Sequence, residues 1–151
     1  MNLYIIETLC LFIINTSLAA GELKTWYRAS NGFYYKLFND QVNYATAKSN
    51  CQKLGADLAS AGVRDSTVRR EILPLVKAGN DDTWIGLSKL EGKFIWADGV
   101  DSTEDNTDWD ADQPDNLGGG EDCVQFWPVD KWQLNNISCN IDMKYICEAR
   151  A

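Results

Sequence analysis

Four cysteines, Cys51, Cys123, Cys139 and Cys147, constrain the fold of this chain more than any other feature. In a secreted protein an even number of cysteines implies disulfides, here two. Four cysteines allow three pairings, and their spacing does not choose among them. A zinc site is the competing use, but the chain has no CxxC pair and no histidine, which disfavours zinc.

The N-terminal segment decides whether the chain is secreted. Residues 3–14, "LYIIETLCLFII", are apolar and too short to span a bilayer, and the small residues of "NTSLAAG" follow. We interpret residues 1–19 as a signal peptide and residues 20–151 as one secreted, extracellular domain without membrane insertion. Its removal discards Cys10, which leaves the even set. A buried N-terminal strand or helix is the alternative, because Glu7 interrupts the run and no Lys or Arg precedes it.

Charge and composition exclude several function classes. The formal net charge of −8 disfavours nucleic acid as a partner, because phosphate neutralisation needs a basic face. Acidic groups favour a divalent cation or simply solubility. The absence of histidine excludes ordinary hydrolase triads, and a glycosidase with a carboxylate pair is the remaining enzyme hypothesis.

The hydrophobic pattern predicts an α+β domain with two helices and small antiparallel sheets. Apolar residues at helical spacing in "VNYATAKSNCQKLG" and "RDSTVRREILPLVKAG" predict the helices, the first ended by Gly55 and the second capped by Asp65. Short apolar runs predict strands: "TWIGLS", "KFIWADG", "CVQFW" and "MKYICEA". Residues 99–120 lack periodicity, which is typical of a functional loop.

The end of this segment, "QPDNLGGGEDC", concentrates oxygen-bearing side chains around a stiff turn. Gln113, Asp115 and Glu121 offer the amide and carboxylate oxygens that Ca²⁺ takes, and Asn135 and Asn136 form a second group. A cis peptide before Pro114 would point its two neighbours in the same direction. Two vicinal hydroxyls of a sugar could then complete the shell of the ion.

These motifs resemble the C-type lectin-like domain over almost the whole chain, from about Trp26 to Arg150. The shared marks are the four cysteines, "WIGL", "FIWADG", Trp109 followed by "QPD", "GGGEDC" and "YICE". The resemblance implies the double-loop lectin fold in its short form, with disulfides Cys51–Cys147 and Cys123–Cys139. It also implies that Gln113, Asp115, Glu121 and Asn135 hold calcium and sugar, and that a "QPD" loop prefers galactose-type sugars.

Two departures from the family pattern concern Asn136. The family usually has "WND" where this chain has Leu134-Asn135-Asn136, so an amide replaces a carboxylate ligand. With two carboxylates the calcium Kd is expected to lie at roughly 10⁻⁴ to 10⁻³ M. Asn136-Ile137-Ser138 is also an N-glycosylation acceptor sequence, and a glycan would keep this side chain from the ion.

A galactose site also needs an aromatic face beneath the sugar. The loop has Leu117 where galactose-type loops often have tryptophan, so we predict that Trp127 stacks on the sugar, with Trp132 as second candidate. We assign Trp84, Trp96 and Trp109 to the core.

The sequence thus predicts a secreted, non-enzymatic, calcium-dependent lectin for galactose or N-acetylgalactosamine. Its partners would be glycans on cell surfaces or microbes, in innate immunity, symbiosis or adhesion. A homodimer is left open, because agglutination needs at least two sites per particle. The alternative is a lectin-like domain that has lost sugar binding and recognises a protein through its loop face.

Overall fold

The computed structural model describes residues 25–129 and 131–150. The predicted signal peptide and Cys10 lie outside these residues, so the structure does not test them. No helix in the described part of the chain is both long and apolar enough to cross a membrane.

Both predicted helices are present, and each begins at a side-chain cap. Helix α1 spans Tyr44–Lys53, and Asn43 caps it by accepting from the Thr46 backbone N–H at 2.9 Å. A short helix that the sequence analysis missed, α2, spans Ala61–Arg64. Helix α3 spans Ser66–Gly79, and the side chain of Asp65 accepts from its first-turn amides, as predicted.

The strands form one mixed sheet rather than separate antiparallel sheets. They are β1 Tyr27–Arg28, β2 Tyr34–Val42, β3 Asp57–Leu58, β4 Thr83–Leu90, β5 Lys93–Trp96, β6 Cys123–Phe126, β7 Leu134–Ile137 and β8 Met143–Ala149. The main order is β1-β2-β8-β4-β6-β7. The last strand lies between β2 and β4 and runs parallel to β4, which gives the sheet its mixed character.

Two apolar clusters cover opposite faces of the central strands. Along β8, Tyr145 and Cys147 pack with α1, whereas Ile146 packs with α3 on the other face. This alternation follows from the period of two in a strand. Trp84 and Trp96 are buried as predicted, and Trp109 is partly buried against the α3 side.

The disulfides have the pairing that the family resemblance implied. Cys51–Cys147 joins α1 to β8 over a separation of 96 residues, and Cys123–Cys139 closes a separation of 16. Cys51–Cys147 closes the larger loop and therefore removes more conformational entropy from the unfolded chain. The shorter one fixes the end of the β6–β7 hairpin beside the loop.

A buried carboxylate, Glu148 on β8, stabilises the turn into α2. It is 5% exposed and accepts hydrogen bonds from the Tyr35 hydroxyl at 3.0 Å and the Gly62 N–H at 2.9 Å. The Ser60 N–H donates to it at 3.3 Å. These amides belong to the first turn of a helix and have no acceptor within it.

We predict that Glu148→Ala lowers the free energy of unfolding by about 2–4 kcal/mol, because it leaves several buried donors without an acceptor. Urea denaturation followed by far-UV circular dichroism measures this. The control is Glu104→Ala, an exposed carboxylate, which we expect to change stability by less than about 0.5 kcal/mol. Equal effects of the two substitutions would contradict the role of Glu148.

Candidate functional site

The site lies on the long segment between β5 and β6, which the edge of the sheet holds in place. Trp109 forms a parallel bridge with Leu134 on β7, and the Asp110 N–H donates to the Leu134 carbonyl at 2.9 Å. At the far end, the Lys89 N–H of β4 donates to the Asp122 carbonyl at 2.7 Å. Both ends of the QPD loop, residues 113–121, are therefore fixed to strands.

The backbone of the QPD loop has the unusual conformations that its residues permit. The Gln113–Pro114 peptide is cis, the isomer that the sequence analysis considered. Gly118, Gly119 and Gly120 all have positive φ, between 74° and 80°. Only glycine adopts this region without steric cost, so the glycine run is needed for the tight return of the chain to β6.

Asn116 is a loop residue that the sequence analysis missed. Its side-chain oxygen accepts from the Glu121 N–H at 3.0 Å, and its carbonyl accepts from the Gly119 N–H at 2.9 Å. Its φ of 51° is one that asparagine tolerates better than most residues. An Asn immediately before an apolar residue and a glycine run was the available signal.

The two carboxylates of the loop, Asp115 and Glu121, lie close enough for the charge of one to act on the other. The Leu117 N–H donates to Asp115 at 3.0 Å and lowers the pKa of that carboxyl. Desolvation raises the pKa of Glu121, and the negative charge of Asp115 raises it further. Two adjacent carboxylates of opposite pKa shift form a local concentration of negative charge that a cation would relieve.

The donor set fits calcium only if amide oxygens join these carboxylates. Glu121 Oε2 is buried and accepts no hydrogen bond from the described residues. Within residues 25–129 and 131–150, no group of three or more His, Cys, Asp and Glu side chains is placed to hold a metal ion. An ion here would therefore use the two carboxylates together with neutral oxygens, beginning with half-buried Gln113, which calcium accepts.

Asn136 joins the loop to strand β7. Its side-chain oxygen accepts from the Asp115 N–H at 3.2 Å, and its amide nitrogen donates to the Glu121 carbonyl at 3.0 Å. The residue is 1% exposed. A glycan on this nitrogen would have no room unless the loop moved away, so the folded loop disfavours glycosylation here.

Asn135 lies beside this contact but on the other face of β7. Successive residues of a strand alternate in direction, and Asn135 pairs with Gln125 on β6, whereas Asn136 pairs with Val124. Gln125 is 1% exposed, and its side-chain oxygen has no hydrogen-bond partner among the described residues. Of the two predicted amides, Asn136 is therefore the one with hydrogen bonds to the loop.

Leu117 and Trp127 are two of the apolar side chains that the sequence analysis considered for contact with a sugar. Leu117, at the loop tip, is 77% exposed. Trp127 is half-buried directly after β6, where its N–H donates to the Gln133 carbonyl at 2.9 Å. Trp132 packs against the core, which leaves Trp127 as the better placed of the two candidate tryptophans.

The chain is similar to known proteins in both sequence and structure. Residues 40–149 match the model of the Lectin C-type domain family. A lectin from the tunicate Polyandrocarpa misakiensis is 35% identical over 120 residues, which are 76% of this chain and 94% of that lectin. Its C-type lectin structure covers 79% of this chain and 98% of its own, with a TM-score of 0.71.

Two further matches are described by what they bind or depend on. A C-type lectin galactose-binding isoform from Hoplocephalus stephensii is 30% identical and covers 99% of both chains. The calcium-free form of a Ca²⁺-dependent type II antifreeze protein is 26% identical, with a TM-score of 0.69. It covers 82% of this chain and 97% of its own.

The family model spans most of the chain, and the match includes the three helices, strands β3 to β8 and both disulfides. C-type lectins are carbohydrate-binding, non-enzymatic proteins, which confirms the prediction that the chain is not an enzyme. The chain belongs to the C-type lectin domain family, as its sequence motifs predicted.

Proposed function

We propose that this protein is a secreted, calcium-dependent lectin that binds galactose or N-acetylgalactosamine through the QPD loop. The observation that carries the proposal is the buried Oε2 of Glu121, which has no hydrogen-bond partner among the described residues and lies beside the negative charge of Asp115. The relatives described as galactose-binding and Ca²⁺-dependent support the same assignment.

Gln113, Asp115, Glu121 and Asn135 would hold the ion, with Asn136 as a further candidate. When bound, calcium supplies coordination positions that two vicinal hydroxyls of a sugar can fill. Gln113 offers an amide donor and Asp115 a carboxylate acceptor, and this polarity fixes how the hydroxyls can be oriented. The loop residues 115–120 are exposed, so a sugar on a cell or microbial surface can approach the site.

A protein-binding role is the second candidate function. Leu117 is 77% exposed at the tip of the loop, where its apolar side chain is accessible to a protein partner. In that case the loop face would bind its partner without calcium or sugar. A homodimer stays a prediction, because a single exposed site gives weak binding and two sites strengthen it.

We expect the protein to be retained on immobilised galactose in millimolar calcium and released by a chelator. Glu121→Gln should abolish retention, because it removes one of the two charges that hold the ion. The matched control is Glu104→Gln, which changes an exposed carboxylate of the same segment and should leave retention unchanged. Failure of the folded wild-type protein to bind in calcium would favour the protein-binding alternative.

The double substitution Gln113→Glu, Asp115→Asn should shift the preference from galactose toward mannose. Exchanging the amide and the carboxylate exchanges donors and acceptors around the two hydroxyls while keeping the ligand oxygens. Competition of the bound protein by free galactose and free mannose measures the preference. Unchanged competition in a folded double variant would show that the loop does not set it.

We expect Trp127→Ala to weaken galactose binding by roughly ten- to a hundredfold, with little change in calcium affinity. Covering the C–H face of the sugar with an indole contributes about 1–3 kcal/mol, and indole is not a metal ligand. Leu117→Ala is the control and should have a much smaller effect. Parallel titrations with sugar and calcium measure both quantities, and a normal sugar affinity in Trp127→Ala would transfer the role to Trp132.

A further inference from the structure

We propose that Asn136 is a positioning residue that holds the QPD loop in its binding conformation before any calcium is bound. We call its two hydrogen bonds, to the Asp115 N–H and the Glu121 carbonyl, the Asn136 clip. The consequence for calcium affinity rests on the proposed function, whereas the clip itself does not.

The clip connects the two ends of the loop to one rigid strand. Asn136 accepts from the Asp115 N–H at 3.2 Å and donates to the Glu121 carbonyl at 3.0 Å. Because the side chain is 1% exposed, water does not compete for these bonds. The same contact therefore fixes the backbone of both carboxylate residues, Asp115 and Glu121.

At neutral pH an amide can make both bonds, and an aspartate cannot. A carboxamide has an acceptor oxygen and a donor nitrogen, whereas an ionised carboxylate only accepts. An aspartate at this position could still accept from the Asp115 N–H but would face the Glu121 carbonyl with a second acceptor. It would also place a third negative charge beside Asp115 and Glu121, which are already neighbours.

The amide therefore favours order of the metal-free loop and lowers calcium affinity. With Asn136, the metal-free loop is assembled, but the site has only two carboxylates. With aspartate, the metal-free loop would be repelled from β7, and a bound calcium ion would gain a third carboxylate. The departure of this chain from the "WND" pattern then favours an ordered loop over tight metal binding.

The test compares three variants in chelator: Asn136→Ala, Asn136→Asp and the control Asn140→Asp. Asn140 is exposed in the turn after β7, so the control makes the same charge change outside the clip. Hydrogen exchange of the Asp115 amide, measured by NMR, reports the clip because that amide donates to Asn136 at 3.2 Å; none of the substitutions removes its longer contact, 3.4 Å to the side chain of Gln113. We expect at least about tenfold faster exchange in both Asn136 variants and no change in the control.

A calcium titration then separates the clip from a merely structural contact. Asn136→Asp should bind calcium at least about tenfold more tightly than the wild type, because ligand charge raises affinity. Asn136→Ala, which loses the clip without gaining charge, should not. Equal calcium affinity in the two variants would overturn the inference that Asn136 orders the metal-free loop at the expense of calcium affinity.

Measurements on the wild-type protein alone also test the clip, even if the variants do not fold. A protected Asp115 amide in chelator supports the clip, and an unprotected one overturns it. These exchange measurements need neither calcium nor sugar. A protected Asp115 amide in a protein that does not bind calcium would therefore refute the proposed function but support the clip. Calcium binding by a protein with an unprotected Asp115 amide would refute the clip but support the calcium site.

Discussion

The fold depends on the position of its last strand. Strand β8 pairs with β2 on one side and with β4 on the other, so residues from the beginning, middle and end of the domain meet in one sheet. The Cys51–Cys147 disulfide joins this strand to α1, and Glu148 on the same strand accepts a hydrogen bond from the first turn of α2. Most of the domain is therefore ordered by contacts that β8 makes possible.

This arrangement frees the other half of the sheet to carry an irregular segment. Strands β4, β6 and β7 need only anchor the ends of residues 99–120, because the hydrophobic core is closed behind them. The loop has few apolar side chains of its own, and its conformation depends on hydrogen bonds to strand edges. Binding residues can then be exposed without destabilising the fold, which is the usual division between scaffold and functional loop.

The order of the QPD loop comes from polar contacts rather than packing. Asn116 closes the loop on itself, and Asn136 joins it to β7. The residues most important for its geometry are thus amides, which both donate and accept, while the carboxylates are left with unsatisfied charge. That division of roles explains how two adjacent acidic groups, Asp115 and Glu121, coexist in one folded loop.

The sequence by itself determined the features that depend on local spacing or local chemistry. Helical periodicity identified α1 and α3, the Asp65 cap followed from its position, and the X-Pro bond and oxygen-rich residues marked the loop. The motifs around the cysteines identified the family and, through it, the disulfide pairing. The short helix α2 has too few residues to show a period, so the sequence analysis missed it.

Only the tertiary structure decided how residues distant in sequence face one another. The parallel pairing of β8 with β4 is nonlocal, and no local pattern distinguishes it from an antiparallel pair. Asn135 and Asn136 are the same residue type at adjacent positions, yet the register of β7 against β6 gives them different partners, and it is Asn136 that hydrogen-bonds to the loop. Because a shift of one residue reverses every side chain of a strand, this choice required the assembled sheet.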